Sequence, residues 1–161
     1  DHRDLHYPLR RQRQMCIRDS ILGVAERNFL KNGDLLDFYQ NTIKEFNLES
    51  IENSKGYVLS GGQRRKVEIA RCLASRPKLI LLDEPFAGID PLAIEDIKSV
   101  LKNLSDKGIS ILITDHNLRE TIDICNYSIV IKDGRILDKG EKNYLINSPL
   151  IKKEYFGKVF D

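Results

Sequence analysis

Two short apolar runs, each closed by a pair of polar or charged residues, constrain this chain more than any other feature. Lys78-Leu79-Ile80-Leu81-Leu82 leads into Asp83-Glu84, and Ile109-Ser110-Ile111-Leu112-Ile113-Thr114 leads into Asp115-His116. Runs of this length and composition read as strands buried on both faces of a parallel sheet. Between them Ile94, Ile97, Val100, Leu101 and Leu104 fall on one helical stripe, opened by Asp90 as N-cap and Pro91 as first helical residue and closed near Lys107-Gly108. The expected fold class is therefore α/β, a mostly parallel sheet flanked by helices.

The strand ends carry the chemistry. Open α/β sheets place ligands at the carboxyl ends of their strands, and burying two adjacent carboxylates there without a metal, proton or donor is costly. Because side chains alternate in direction, one carboxylate can serve a Mg²⁺ ion through water while its neighbour points toward an attacking water. His116, at the same edge, is placed to hydrogen-bond a terminal phosphate. Taken alone, an Asp-Glu pair is commonly a solvated strand exit, and a single histidine after a strand is usually structural or exposed.

Upstream, Leu59-Ser60-Gly61-Gly62-Gln63 opens a helix that runs to about Ser75 and is stopped by Pro77. Val67, Ala70, Leu73 and Ala74 give that helix a core face, and Arg64, Arg65, Lys66 and Arg71 lie mostly elsewhere. Two glycines let backbone N–H groups approach a phosphate, Ser60 adds a hydroxyl donor, and the helix dipole favours an anion. A Ser-Gly-Gly turn by itself is more often only a helix cap.

Elsewhere the patterns are structural. Ile21 to about Leu48 carries apolar residues at spacings of three and four, which predicts two amphipathic helices broken near Asn32-Gly33-Asp34, with Asp34 capping the second. Asn117 with Glu120 forms a candidate capping box for a helix carrying Leu118 and Ile122. Tyr127–Lys132, Asp133-Gly134 and Arg135–Leu137 read as a hairpin with a two-residue turn, and residues 141–161 as short helices packed on the domain.

Composition sets the remaining bounds. At 161 residues, 41% hydrophobic and 31% charged, the chain fits one soluble domain with a core. No apolar run approaches the roughly 18–20 residues of a membrane span. Cys16, Cys72 and Cys125 have no metal-ligand spacing and read as reduced and structural. Residues 1–20 hold five arginines against three aspartates, which accounts for the whole net charge of +2. That segment lacks periodicity, and its run from Gln14 to Ser20 looks like translated sequencing-adapter sequence, so it is expected to be a non-native or disordered tail. The neutral remainder argues against a nucleic-acid partner.

Taken in order, Leu59-Ser60-Gly61-Gly62-Gln63, Leu79-Ile80-Leu81-Leu82-Asp83-Glu84-Pro85 and Thr114-Asp115-His116 resemble the signature motif, Walker B motif and switch histidine of the ATP-binding-cassette (ABC) ATPases. The likeness covers about 43–161. It implies that the chain is the carboxyl-terminal part of a P-loop NTPase domain plus part of its helical subdomain. Residues 21–75 would be the helical subdomain and signature helix, 76–140 the core from Walker B to the switch histidine, and 141–161 the carboxyl-terminal helices. Asp83-Glu84-Pro85-Phe86-Ala87-Gly88-Ile89-Asp90-Pro91, Ile113–Thr121 and Tyr155-Phe156-Gly157 resemble the lipopolysaccharide-exporter branch, with branched-chain amino acid importers as its nearest rivals.

By that resemblance the cofactors are ATP and Mg²⁺. Such ATPases act as head-to-tail dimers, so Ser60, Gly61, Gly62 and Gln63 would hold the γ-phosphate of ATP bound on a second ATPase subunit. Asp83 would organise Mg²⁺, Glu84 would act as general base and His116 would stabilise the leaving phosphate. By the same resemblance Asp90 would belong to a D-loop crossing to the partner. Transmembrane permease subunits would be the other partners, placing the chain on the cytoplasmic face of the inner membrane through them alone. No G-x-x-x-x-G-K-[ST] and no recognisable Q-loop occur in the 161 residues. The expectation is an amino-terminally truncated product, inactive alone. The other readings are the ATPase of another ABC transporter, a non-catalytic partner contributing only its signature face, and a DNA-repair or chromosome-organising ABC ATPase, which the basic arm favours. Against the last stands the absence of long coiled-coil heptads.

Overall fold

The computed structural model describes residues 16–27 and 32–156. Most of the expected tail, the apolar residues Phe29 and Leu30, and Gly157 lie outside the described residues. The described residues fall into two compact units. One comprises those up to Leu81 together with Gly88–Leu112, and the other Leu82–Ala87 together with those from Ile113 onward.

The first unit is mainly helical. Helix α1 spans Ile17–Ala25 and α2 spans Asn32–Glu45. Helix α3 spans Gly61–Leu73 and α4 spans Pro91–Asp106. In α1 the buried residues Ile17, Ile21 and Ala25 recur every four positions, and α1 packs on both α2 and α3. Helix α4 keeps the predicted stripe, with Ile94, Ile97, Leu101 and Leu104 buried. It starts as expected, Asp90 accepting from the Ala93 N–H at 3.0 Å with Pro91 in the first turn.

Three expectations are corrected here. The tail boundary at residue 20 is too late, because α1 begins at Ile17 with Cys16 as its cap. Ile17 is only 1% exposed, and the Ile17 and Arg18 N–H groups donate to the Ser54 and Glu52 carbonyls. Tertiary hydrogen bonds hold a segment whose own pattern predicts nothing. Asp34 lies within the first turn of α2 rather than capping it, where its charge still favours the helix dipole. Lys66 is buried rather than off the core face. Its stem packs inward while Nζ meets Asp96 of α4 at 3.2 Å. A further clasp joins Tyr39, whose hydroxyl donates to Glu52 Oε2 at 2.9 Å; burial first, and that bond second, push the phenol well above the usual range.

Strands β1 (Leu79–Asp83) and β2 (Ser110–Thr114) pair, each beginning in the first unit and ending in the second. The Ser110 N–H donates to the Lys78 carbonyl at one end and the Glu84 N–H to the Thr114 carbonyl at the other, so the strands run parallel. Burial on both faces does not hold. Ile80 is buried, whereas Leu79 and Leu81 are 53% and 68% exposed and Leu112 is exposed as well. Alternation sends these leucines to a face that nothing among the described residues covers.

The second unit holds helix α5 (Leu118–Ile124), strands β3 (Ser128–Lys132) and β4 (Arg135–Gly140), and the short helices α6 (Lys142–Leu145) and α7 (Pro149–Ile151). β3 and β4 form the predicted hairpin, its turn made by Asp133 and Gly134, both with positive φ. Its core is Ile122, Val130, Leu145 and Ile151, with Leu118 and Leu137 packed against it. The three cysteines are free thiols, and burial pushes Cys72 and Cys125 up, away from the reactive thiolate. No helix of the described residues is long and apolar enough to cross a membrane.

Candidate functional site

The carboxyl ends of β1 and β2 bring Asp83, Glu84 and His116 together within the second unit. Asp83 Oδ1 accepts from the Thr114 hydroxyl at 2.5 Å, which ties the last residue of one strand to the last of the other. Glu84 follows in a left-handed conformation, φ 45°. A non-glycine residue there costs on the order of 1–3 kcal/mol and persists only where its surroundings over-determine it. Here the Glu84 N–H donates to Thr114 O at 2.7 Å and Glu84 O accepts from Ala87 at 3.2 Å.

That backbone turns the Glu84 side chain outward. Its Oε1 lies 3.4 Å from His116 Nδ1, with the two side chains 55% and 72% exposed respectively. The pair is therefore a carboxylate and an imidazole in mutual reach on an open surface, suited to proton acceptance and to contact with an anion.

Two neighbours of this pair, quoted in the motif Thr114-Asp115-His116, were given no role by sequence reasoning. Thr114 fixes Asp83. Asp115, whose side chain is 0% exposed, accepts from the Phe86 N–H at 3.2 Å and from the Asn117 N–H at 2.8 Å. The Asn117 N–H, which a capping box would give to Glu120, is thus used by Asp115, while Asn117 Oδ1 accepts from the Glu120 N–H. Adjacency to His116 was the only signal available for Asp115, since its partner Phe86 lies 29 residues away.

A Mg²⁺ ion fits the donors present in one way only. Among the described residues no group of three or more His, Cys, Asp or Glu side chains could hold a metal by itself. One exposed carboxylate beside a hydroxyl suits a hard cation that keeps its waters and arrives with phosphates. Asp83 is the residue that would hold it.

Ser60, Gly61, Gly62, Gln63 and Asp90 lie in the first unit. Ser60 caps α3 in a full capping box. Its Oγ accepts from the Gln63 N–H at 3.2 Å, and Gln63 Oε1 accepts from the Ser60 N–H at 3.0 Å. A hydroxyl that accepts through a lone pair keeps its own proton for donation. The glycines have packing reasons of their own. A Cβ on Gly62 would sit 2.5 Å from Ala93 Cβ, and one on Gly61 would sit 3.3 Å from the Gly88 carbonyl. So the helix start is seated against Gly88–Ala93, the segment capped by Asp90, and its first N–H groups form the anion-favouring end of a 13-residue helix.

Known proteins resemble this chain in sequence and fold. The family model described as ABC transporter matches residues 9–87, beginning inside the segment expected to be a tail. The lipopolysaccharide export system ATP-binding proteins LptB of Acidithiobacillus ferridurans and Haemophilus influenzae are each 41% identical to it. The matches cover 92% of this chain and 61% and 62% of those proteins. The chain thus spans about three-fifths of the length of these curated relatives. Among solved structures, the ADP conformation of MJ1267, an ATP-binding cassette of an ABC transporter, superposes with a TM-score of 0.74 at 26% identity, covering 92% of this chain and 65% of that one. The cbiO1 protein of Clostridium perfringens shares the fold, with a TM-score of 0.77 at 22% identity over 99% of this chain and 69% of that one. The ordered motifs, the α/β frame that carries them and these likenesses agree that the chain belongs to the ABC transporter ATP-binding family.

Proposed function

We propose that this chain is part of an ATP-hydrolysing subunit that powers lipopolysaccharide extraction and export from the inner membrane. The observation that carries the reading is the cluster at the ends of β1 and β2: a carboxylate fixed by a hydroxyl, and a second carboxylate 3.4 Å from an imidazole. In this reading Asp83 holds Mg²⁺, which supplies charge neutralisation to the phosphates when bound. Glu84 accepts the proton of the attacking water, and His116 hydrogen-bonds the departing phosphate. Ser60, Gly61, Gly62 and Gln63 present donors to ATP on a second subunit arranged head to tail, and Asp90 holds the D-loop that meets it. Permease subunits carry the lipid, and the chain reaches the cytoplasmic face of the membrane through them. The identity to LptB proteins supports the exporter over an importer.

Hydrolysis is tested in a polypeptide that carries these residues behind an in-frame P-loop. Glu84→Gln should lower kcat by at least about a hundredfold, the usual scale for a general base, with KM little changed. A variant retaining most of its kcat would overturn the assignment. The 161 residues hold no G-x-x-x-x-G-K-[ST]. For this polypeptide alone the expectation is weak ATP binding and almost no turnover, and micromolar affinity by calorimetry would contradict it.

A further inference from the structure

We propose that Asp115 is a positioning residue that sets Glu84 and His116 against each other. The proposal rests on the reading that those two side chains perform the chemistry. Its carboxylate brackets the two turns that carry them. Oδ2 accepts from Phe86, two residues past Glu84, and Oδ1 accepts from Asn117, one residue past His116. The Oδ1 contact alone would be a local Asx turn. The Oδ2 contact reaches the other strand end, 29 residues away in the chain, and makes the carboxylate a tie between turns.

Burial explains why an aspartate is required. A carboxylate with 0% exposure needs a donor at each oxygen, and two backbone N–H groups provide charge-assisted bonds. Asparagine offers one acceptor oxygen and would turn its amide N–H₂ toward one of the two donors. Alanine would leave both N–H groups buried and unmet. The tie also bears on the left-handed Glu84, because it holds the chain at Phe86, two residues on. With the chain held there, Glu84 Oε1 stays at 3.4 Å from His116 Nδ1.

The test uses the whole 161-residue chain and needs no ATP, so its failure is distinct from a failure of the hydrolysis reading. In Asp115→Asn, amide exchange at Phe86 or Asn117 should quicken by at least about tenfold, while Val130 in the hairpin core keeps its rate. In the unchanged chain, Glu84→Gln should shift the ring resonances of His116, and in Asp115→Asn the same substitution should shift them by less than half as much. Equal shifts in both backgrounds would overturn the proposal, as would exchange that quickens equally at Val130, the mark of a merely structural residue. With no substitution at all, a scalar coupling across the hydrogen bond from Phe86 N to the Asp115 carboxyl carbon should be detectable. Its absence would overturn the proposal even if Asp115→Asn fails to fold.

Discussion

Gly62 shows how one residue can satisfy two readings at once. In the sequence the Gly61-Gly62 pair signals close approach of an anion, and nothing local reveals that Ala93 fills the space above it. Placing a methyl group 2.5 Å from Ala93 Cβ forces α3 and α4 apart, because neither methyl can rotate away. Gly62→Ala should therefore destabilise the chain by about 1–3 kcal/mol, read as a lower midpoint in urea. Ser60 separates cap from ligand more cleanly. Ser60→Ala removes the capping box and should cost about 1 kcal/mol, whereas Ser60→Asp, an equally good cap, should leave stability within about 0.5 kcal/mol of the parent. Equal losses in both variants would show that the cap is not what Ser60 contributes to folding.

Elements were legible where their signals are local. The hairpin turn needs positive φ at two successive residues, and Asp133-Gly134 states that need in two letters. Helix α4 likewise carries its own start, stripe and stop. What sequence could not supply is what lies across from an element. Helix α1 starts at Ile17 because of hydrogen bonds to Glu52 and Ser54, and the apolar strand β1 is covered on one face only. The last described turn, Lys152–Phe156, is tied to β3 by an ion pair between Lys132 and Glu154. The hydrogen bond from Lys132 holds the Glu154 carboxyl below its usual range and raises the lysine in turn. A carboxyl depressed by folding contributes stability above its unfolded pKa, about 4.3, and loses it as pH falls through the folded value. Glu154→Gln should therefore lower the melting temperature slightly at about pH 7, by an amount that shrinks as pH falls through the folded value. A difference that persists unchanged in acid would exclude the ion pair as its cause.

For the molecule as a whole, the exposed apolar surface decides behaviour in solution. In the first unit Leu79, Leu81 and Leu112 stand on the open face of the parallel pair, and in the second Tyr127, Ile129, Ile131 and Ile136 are exposed on the hairpin. Scattered surface leucines are ordinary, but apolar side chains gathered on sheets that have two strands each among the described residues invite further strands or chains. Charge offers little opposition, since residues 21–161 are neutral overall. The chain should therefore associate as its concentration rises, with sedimentation velocity showing a weight-average mass climbing above 18.6 kDa. Leu81→Lys and Ile129→Lys each place a charge at an exposed position on one of the two faces. If the apolar faces drive association, each should reduce it, and the larger effect identifies the responsible face. A chain that stays monomeric across the series, or associates equally well with both lysines present, would locate the driving force elsewhere.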